Sequence, residues 1–210
     1  MFYFLIITLS ILFVCLALFF LLFPSIKRKY YKKNYLKIYG KKIYKYVDEE
    51  DFYLINKLAL KASNDSILDV DHLVLGNKYL YIIHDMYVVG GIEGKEVDTS
   101  WIQYYGSLKH PSTKYIPNPM KENISNIEKF SGSTRFNKNM LIAITVVNND
   151  CLIKKIESTS NNNYFVNIKD LPSLIDSLEA RDVPPLNQTQ LKYVVRDLVR
   201  SNLNRQKGNQ

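Results

Sequence analysis

The sequence predicts an α/β protein: an N-terminal transmembrane helix followed by a mixed β-sheet flanked by helices. Three observations predict it. Residues 1 to 23 contain no Asp, Glu, Lys, Arg or His. The stretch from Val70 to Trp101 reads as three consecutive strands punctuated by glycines. On both sides of that stretch, apolar residues recur at helical spacing.

The uncharged run is long enough to cross a hydrocarbon core of about 30 Å. A cleaved signal peptide would want a basic start, a shorter apolar core and a small-x-small exit. Here no basic residue precedes Lys27, and the exit reads Phe23-Pro24-Ser25-Ile26. Residues 1–24 are therefore predicted to be an uncleaved, single-pass anchor. A lipoprotein site at Cys15 is disfavoured by the bulky Val14 before it.

The formal charge of +8 is not spread evenly. Lys27, Arg28, Lys29, Lys32, Lys33, Lys37, Lys41, Lys42 and Lys45 precede the first acid, Asp48. These nine come from a total of 28, so the remaining 19 face all 20 acids and the rest of the chain is near −1. Basic residues beside a span favour the cytoplasmic side and attract anionic lipid headgroups. Nucleic acid is the competing partner for such a run; the position directly after the span favours lipid. Residues 25–46, alternating Lys and Tyr, are predicted to form a headgroup-level collar, and residues 47–210 the α/β domain.

Within the domain, Val47, Leu54, Ile55, Leu58 and Ala62 approximate one helical face, predicting a helix from about Ile43 to Lys61 that ends at Ser63-Asn64-Asp65. Val70, His72 and Val74 then alternate with Asp71, Leu73 and Leu75, the period of a strand. Gly76-Asn77 is a turn signal. Leu80–Ile83 is a short apolar run of the kind buried on both faces. Val88-Val89 and Gly90-Gly91 lead to the only tryptophan, Trp101. Gly106 to Pro119 reads as a loop broken by Pro111, Pro117 and Pro119. Asn118-Pro119 reads as an N-cap with proline at the first helical position, opening a helix striped by Met120, Ile124, Ile127 and Phe130 that ends near Ser131-Gly132. Met140–Val147 is predicted as a central strand and Tyr164–Ile168 as another, with the Asn-rich Ser158–Asn163 as a loop between them. Helices at Leu171–Leu178 and Gln188–Leu203 close the chain. Its two cysteines, Cys15 and Cys151, fit neither an internal disulfide nor a metal-type spacing. No phosphate-binding loop or dinucleotide fingerprint is present.

In this order, Val70-Asp71-His72-Leu73-Val74, Leu80-Tyr81-Ile82-Ile83, Gly90-Gly91-Ile92-Glu93-Gly94, Trp101 and Asn118-Pro119-Met120 resemble the nuclease-related domain (NERD) family, over roughly residues 40 to 150. That family looks like a branch of the PD-(D/E)xK nucleases. The resemblance implies a restriction-endonuclease-like mixed sheet. It also implies an active site in which an Asp and a Glu hold a divalent metal, Mg²⁺, and a Lys orients the attacking water.

The departures bear directly on function. Asp71 matches the first carboxylate. The family's Glu falls on His84 and its Lys on Met86, while the Gly-Glu pair opening the family's early helix reads Gly40-Lys41. One aspartate is a poor Mg²⁺ site, since Mg²⁺ wants octahedral oxygen ligation. The expectation is thus a catalytically inactive binding or scaffold module on the cytoplasmic face of the cell membrane, with no cofactor. The alternative is an active, membrane-tethered, Mg²⁺-dependent nuclease of DNA or RNA. For that alternative Glu93-Gly94-Lys95 supplies a literal E-x-K, although it falls where the family has its hairpin turn. His84 and Asp85 with Asp71 are the candidate transition-metal ligands; a satisfied polar turn is the bland reading of the same pair. His72 is expected to be a structural strand residue facing a neighbour. His110 and Cys151 have no partner motif. Trp101 with Tyr104-Tyr105 reads as a partly buried aromatic cluster in preference to a base-stacking platform.

Overall fold

A computed structural model describes residues 2–62, 66–106, 110–134 and 136–204. Two compact units divide the chain, Met1–Ile38 and Tyr39–Gln210. The first helix, α1, runs through both units, Phe2–Glu49, with Pro24 inside it. Among the described residues it is the one helix long and apolar enough to be a candidate membrane span. All nine basic residues from Lys27 to Lys45 are exposed. No helix opens at Gly40-Lys41, because α1 passes straight through.

The second unit begins at Tyr39. Tyr39, Ile43, Tyr46 and Val47 are all buried, so the last turns of α1 form part of the domain core. The helix expected from Ile43 to Lys61 is replaced by the end of α1 and a strand, β1 (Tyr53–Lys61). The reason lies at Lys57, whose φ is 51°. Lys57 drops out of the pairing between Asn56↔His72 and Leu58↔Val70, and the side-chain alternation slips there. Ile55, Leu58 and Leu60 therefore reach one core, a spacing that imitates a helical face. The expected helix end at Ser63–Asp65 lies outside the described residues.

Two mixed sheets follow. The first has the order β1-β2-β3-β7-β9, with β2 Ile67–Leu75, β3 Leu80–Met86, β7 Leu141–Val147 and β9 Asn163–Asn167. The first three strands are antiparallel; β7 is parallel to both β3 and β9. As a parallel interior strand, β7 is buried at every residue, which accounts for its unbroken apolar sequence. The second sheet has the order β6-β5-β4-β8, with β4 Gly91–Lys95, β5 Ser100–Gly106, β6 Pro111–Pro117 and β8 Leu152–Glu157.

Three sequence expectations change here. The strand after Gly90 pairs with β5 and β8, not with β3, so the three-strand run divides between two sheets. Glu93-Gly94-Lys95 lies within β4, and the hairpin bends after it. The segment read as a proline-broken loop contains β6; it is an edge strand, where Pro111 and Pro117 at its ends cost no ladder bond. Strand β8 has no periodic signal in the sequence.

One core lies between the first sheet and two helices, α2 (Pro119–Thr134) and α4 (Gln188–Ser201). Asn118 caps α2 as expected: its Oδ1 accepts from the Met120 amide at 2.9 Å. Asn123 and Asn126 are buried in that helix while Ile124 is exposed, the reverse of a simple apolar stripe. The opposite face of the sheet meets the end of α1 and a further helix, α3 (Leu171–Glu179), to which Tyr81 donates a hydrogen bond at Glu179, 2.6 Å.

Candidate functional site

Strand alternation sorts the candidate residues before any side chain is considered. On β3, Leu80 and Ile82 face the α2–α4 core, and His84 continues their row. Asp85 continues the row of Tyr81 and Ile83 on the other face. On β2, the slip opposite Lys57 brings both the Leu68–Val70 and the Leu73–Leu75 pairs to one core, and Asp71-His72 occupies the slip itself. His72 pairs with Ile83, so Asp71 stands beside His84 one step further along.

The outcome is two His–Asp pairs, back to back across one sheet. On one face His84 Nδ1 lies 2.9 Å from Asp71 Oδ2, with both side chains about one-third exposed, 36% and 30%. The same Asp71 oxygen accepts the Asp85 amide at 2.9 Å. Burial works to raise the Asp71 carboxyl, but the bonds from His84 and the Asp85 amide outweigh it and hold the group below its ordinary value. The bond to Asp71 raises His84 above its ordinary value. On the other face the His72 ring bridges Asn56 Oδ1, 2.6 Å from Nδ1, and Asp85 Oδ2, 2.9 Å from Nε2. His72 and Asp85 are buried, and burial pushes the Asp85 carboxyl up. Asp85 Oδ1 is buried with no hydrogen-bond partner among the described residues.

Asp71 and His84 are thus brought together and Asp85 is turned away from them. The alternation of a strand carries that information in the sequence: adjacent residues cannot both face one ligand. Met86, at the position of the family's lysine, packs against an apolar cluster containing Val88, Ile92, Trp101 and Met120. Glu93 and Lys95 belong to the second sheet and have partners there. Tyr104 donates to Glu93 at 2.9 Å, and Lys95 pairs with Glu157 at 2.9 Å. Trp101 is buried against Phe165 and donates to the Lys95 carbonyl at 2.8 Å, so it offers no ring to a ligand. Burial pushes the Cys151 thiol up to about 11, far from a nucleophile's range. His110 immediately precedes β6.

These donors do not fit Mg²⁺. The ion wants several hard oxygens in octahedral array, whereas Asp71 already accepts two hydrogen bonds on a single oxygen and Glu122 of α2 acts on His84 only through its charge. Among the described residues, no group of three His, Cys, Asp or Glu is arranged to hold a metal ion.

A buried network that sequence reading misses begins beside the site. Thr145 of β7, paired with His84 of β3, donates to Asn123 Oδ1 at 3.2 Å. Asn123 donates to Asn163 at 2.9 Å, and Asn163 to Glu96 Oε1 at 2.7 Å. The other Glu96 oxygen accepts the Thr159 amide and hydroxyl, both at 2.7 Å, and the Ser160 amide at 2.9 Å. Glu96 is 3% exposed.

Comparison with known proteins adds the following. No curated protein matches the chain. Among solved structures, that of AF1548, a protein of unknown function, is similar over 76% of this chain and 78% of its own, at 8% identity and a TM-score of 0.34. The nuclease-related domain model matches residues 33–148. That stretch exceeds half of the chain and contains the Asp71 strand, the β4–β5 hairpin and the Asn118-Pro119 helix start; the chain belongs to the nuclease-related domain family.

Proposed function

We propose that this chain is a membrane-anchored member of the family in which nuclease chemistry has been lost, and that it acts as a binding or scaffold module at the cytoplasmic face. One observation carries the reading: one oxygen of the carboxylate at the family's metal position is taken up by His84 and the Asp85 amide, and Met86 brings no cation to the same face. A hydrolytic nuclease must gather a divalent cation, a scissile phosphate and a water. Here His84 and Met86 stand where the family's Glu would hold the cation and its Lys would orient the water. The near-neutral domain also lacks a general attraction for a polyanion.

The test is incubation of the purified full chain with Mg²⁺ or Mn²⁺ and DNA or RNA. No metal-dependent cleavage is expected. Cleavage abolished by both Asp71→Ala and Glu93→Ala would establish the tethered-nuclease alternative with Glu93-Gly94-Lys95 as its E-x-K. Cleavage lost only in Asp71→Ala would point to another ligand set. For orientation, a C-terminal reporter active only in the cytoplasm should be active; activity restricted to an external reporter would reverse the topology.

The partner next to the anchor is an anionic lipid surface. Lys27 to Lys33 cover about 9 Å of helix and Lys27 to Lys37 about 15 Å, at about 1.5 Å per residue. Screening acts over about 8 Å at physiological salt, so Lys27, Arg28, Lys29, Lys32 and Lys33 carry the attraction, about 1 kcal/mol each near the surface. Lys41, Lys42 and Lys45 belong to the folded unit. In nanodiscs, enrichment of spin-labelled phosphatidylglycerol over phosphatidylcholine should be lost in salt and in the five-Gln variant. It should survive Gln at 41, 42 and 45; equal loss in both variants would refute the assignment.

A further inference from the structure

We propose that the last turns of α1 are a control element for the Asp71–His84 pair, acting through the buried His72–Asp85 pair on the opposite face of the sheet. This holds whether or not the pair retains any chemistry.

The contacts form an unbroken series. Gly40 of α1 sits against the His72 ring: a Cβ at position 40 would lie 3.3 Å from His72 Cε1, inside the optimal carbon–carbon separation of about 3.5–4.0 Å. The ring cannot simply slide away. It is bonded to Asn56 at one nitrogen, 2.6 Å, and to Asp85 at the other, 2.9 Å. Asp85 Oδ1 has no hydrogen-bond partner among the described residues and Oδ2 is held by His72, so the carboxylate is oriented by the His72 ring. The Asp85 amide in turn donates to Asp71 Oδ2, the oxygen that holds His84. A displacement at Gly40 therefore reaches His84 through two buried side chains and one peptide unit. The adjoining Tyr39 hydroxyl approaches the Met86 carbonyl at 3.5 Å, so α1 also touches the strand that carries His84.

The structure holds α1 seated on His72; the proposal adds a second arrangement, in which α1 is lifted from it. Lifting removes the contact that fixes the ring and admits water to a buried ionisable pair. Because α1 also carries the candidate span, the element that moves and the element that anchors are one helix. A coupling of this kind acts in both directions.

The experiment is nitrogen-15 NMR of the histidine rings in the full chain, in detergent micelles. The chain has three histidines, and His110, outside the series, serves as the internal reference. Gly40→Ala should move the ring resonances of both His72 and His84, with loss of the downfield, slowly exchanging Nδ1 proton of His84, while His110 stays. Movement of His72 alone would end the coupling at the buried pair and overturn the proposal, as would no movement at all. Should Gly40→Ala fail to fold, Asn56→Ala frees the His72 ring from its other partner; it must move the His84 ring as well as that of His72, and an unshifted His84 overturns the proposal equally.

Discussion

Replacing Glu96 by Gln should cost the domain about 3 kcal/mol. The carboxylate is 3% exposed. Burial works against its charge, but hydrogen bonds from Ser160, Thr159 and Asn163 overcome this and bring the group from 4.5 down to about 2. At about 1.4 kcal/mol per unit, that difference is about 3 kcal/mol of stability at neutral pH. The sign follows from linkage: a depressed carboxyl stabilises fully above its unfolded value, and the contribution is lost as pH falls from about 5 through 2. A glutamine at this position keeps the length of the side chain but presents an NH₂ group where donors now converge. In thermal unfolding of the full chain in detergent, read by near-ultraviolet circular dichroism, Glu96→Gln should lower the midpoint by roughly 6–12 °C at pH 7, at about 2–4 °C per kcal/mol for a domain of this size. The gap between the two proteins should narrow as the pH is lowered toward 2. Equal midpoints at pH 7, or a gap indifferent to pH, would refute the view that a charged Glu96 is what holds the Ser158–Ser160 loop and Asn163 in place.

Other expectations follow from single contacts. Gly94→Ala places a methyl group on the Trp101 ring, which is itself buried; overpacking of this kind should cost about 1–3 kcal/mol, read as a lowered thermal midpoint. Tyr81→Phe removes the 2.6 Å bond to Glu179 and should cost about 1 kcal/mol in the same assay. Asp71→Asn should return His84 toward its ordinary value in an NMR titration. With Asp71 present, the raised His84 contributes stability that is complete below about 6.5 and is lost as pH rises through the folded value; in the Asn variant that dependence should vanish.

Much of the fold is readable where local pattern and tertiary role agree. The Asn118-Pro119 cap, the apolar β7 run and the Leu171 and Gln188 helices all satisfy local rules that the packing then uses. Reading fails where a single backbone angle rewrites the pattern. Lys57, at a φ of 51°, turns strand alternation into helix-like spacing, and nothing in its side chain announces it. Pro111 and Pro117 fail differently, because they argue against a central strand but not against an edge strand, and edge status is a property of the whole sheet. For the candidate site, the strand pattern and the family resemblance together lead to Asp71 and His84. Adjacency in sequence draws Asp85 into the same ligand group, although its parity with His84 places it on the other face. Glu96 escapes notice because its partners lie about sixty residues further on, in a stretch whose Asn and Ser content signals only a loop.

The sheet edges have a consequence for how many copies of this protein can share a small area. Confinement to a membrane plane, which the proposed anchor would impose, raises local concentration and with it the hazard of strand-to-strand pairing between neighbouring molecules. Each edge is blunted by a different means. On β1, Asn202 and Asn204 take up the free backbone: Asn202 Oδ1 accepts the Ala59 amide at 3.1 Å, and both side-chain amides donate to the Lys57 carbonyl. On β9, Asn123 of α2 reaches the Tyr164 carbonyl. Strand β6 ends in prolines on both sides, and β8 carries Lys154-Lys155 at an irregular register with β4. The residues that close β1 come from the end of α4, so a chain cut before Asn202 would expose a ready template for crowding-driven aggregation while leaving both sheets intact.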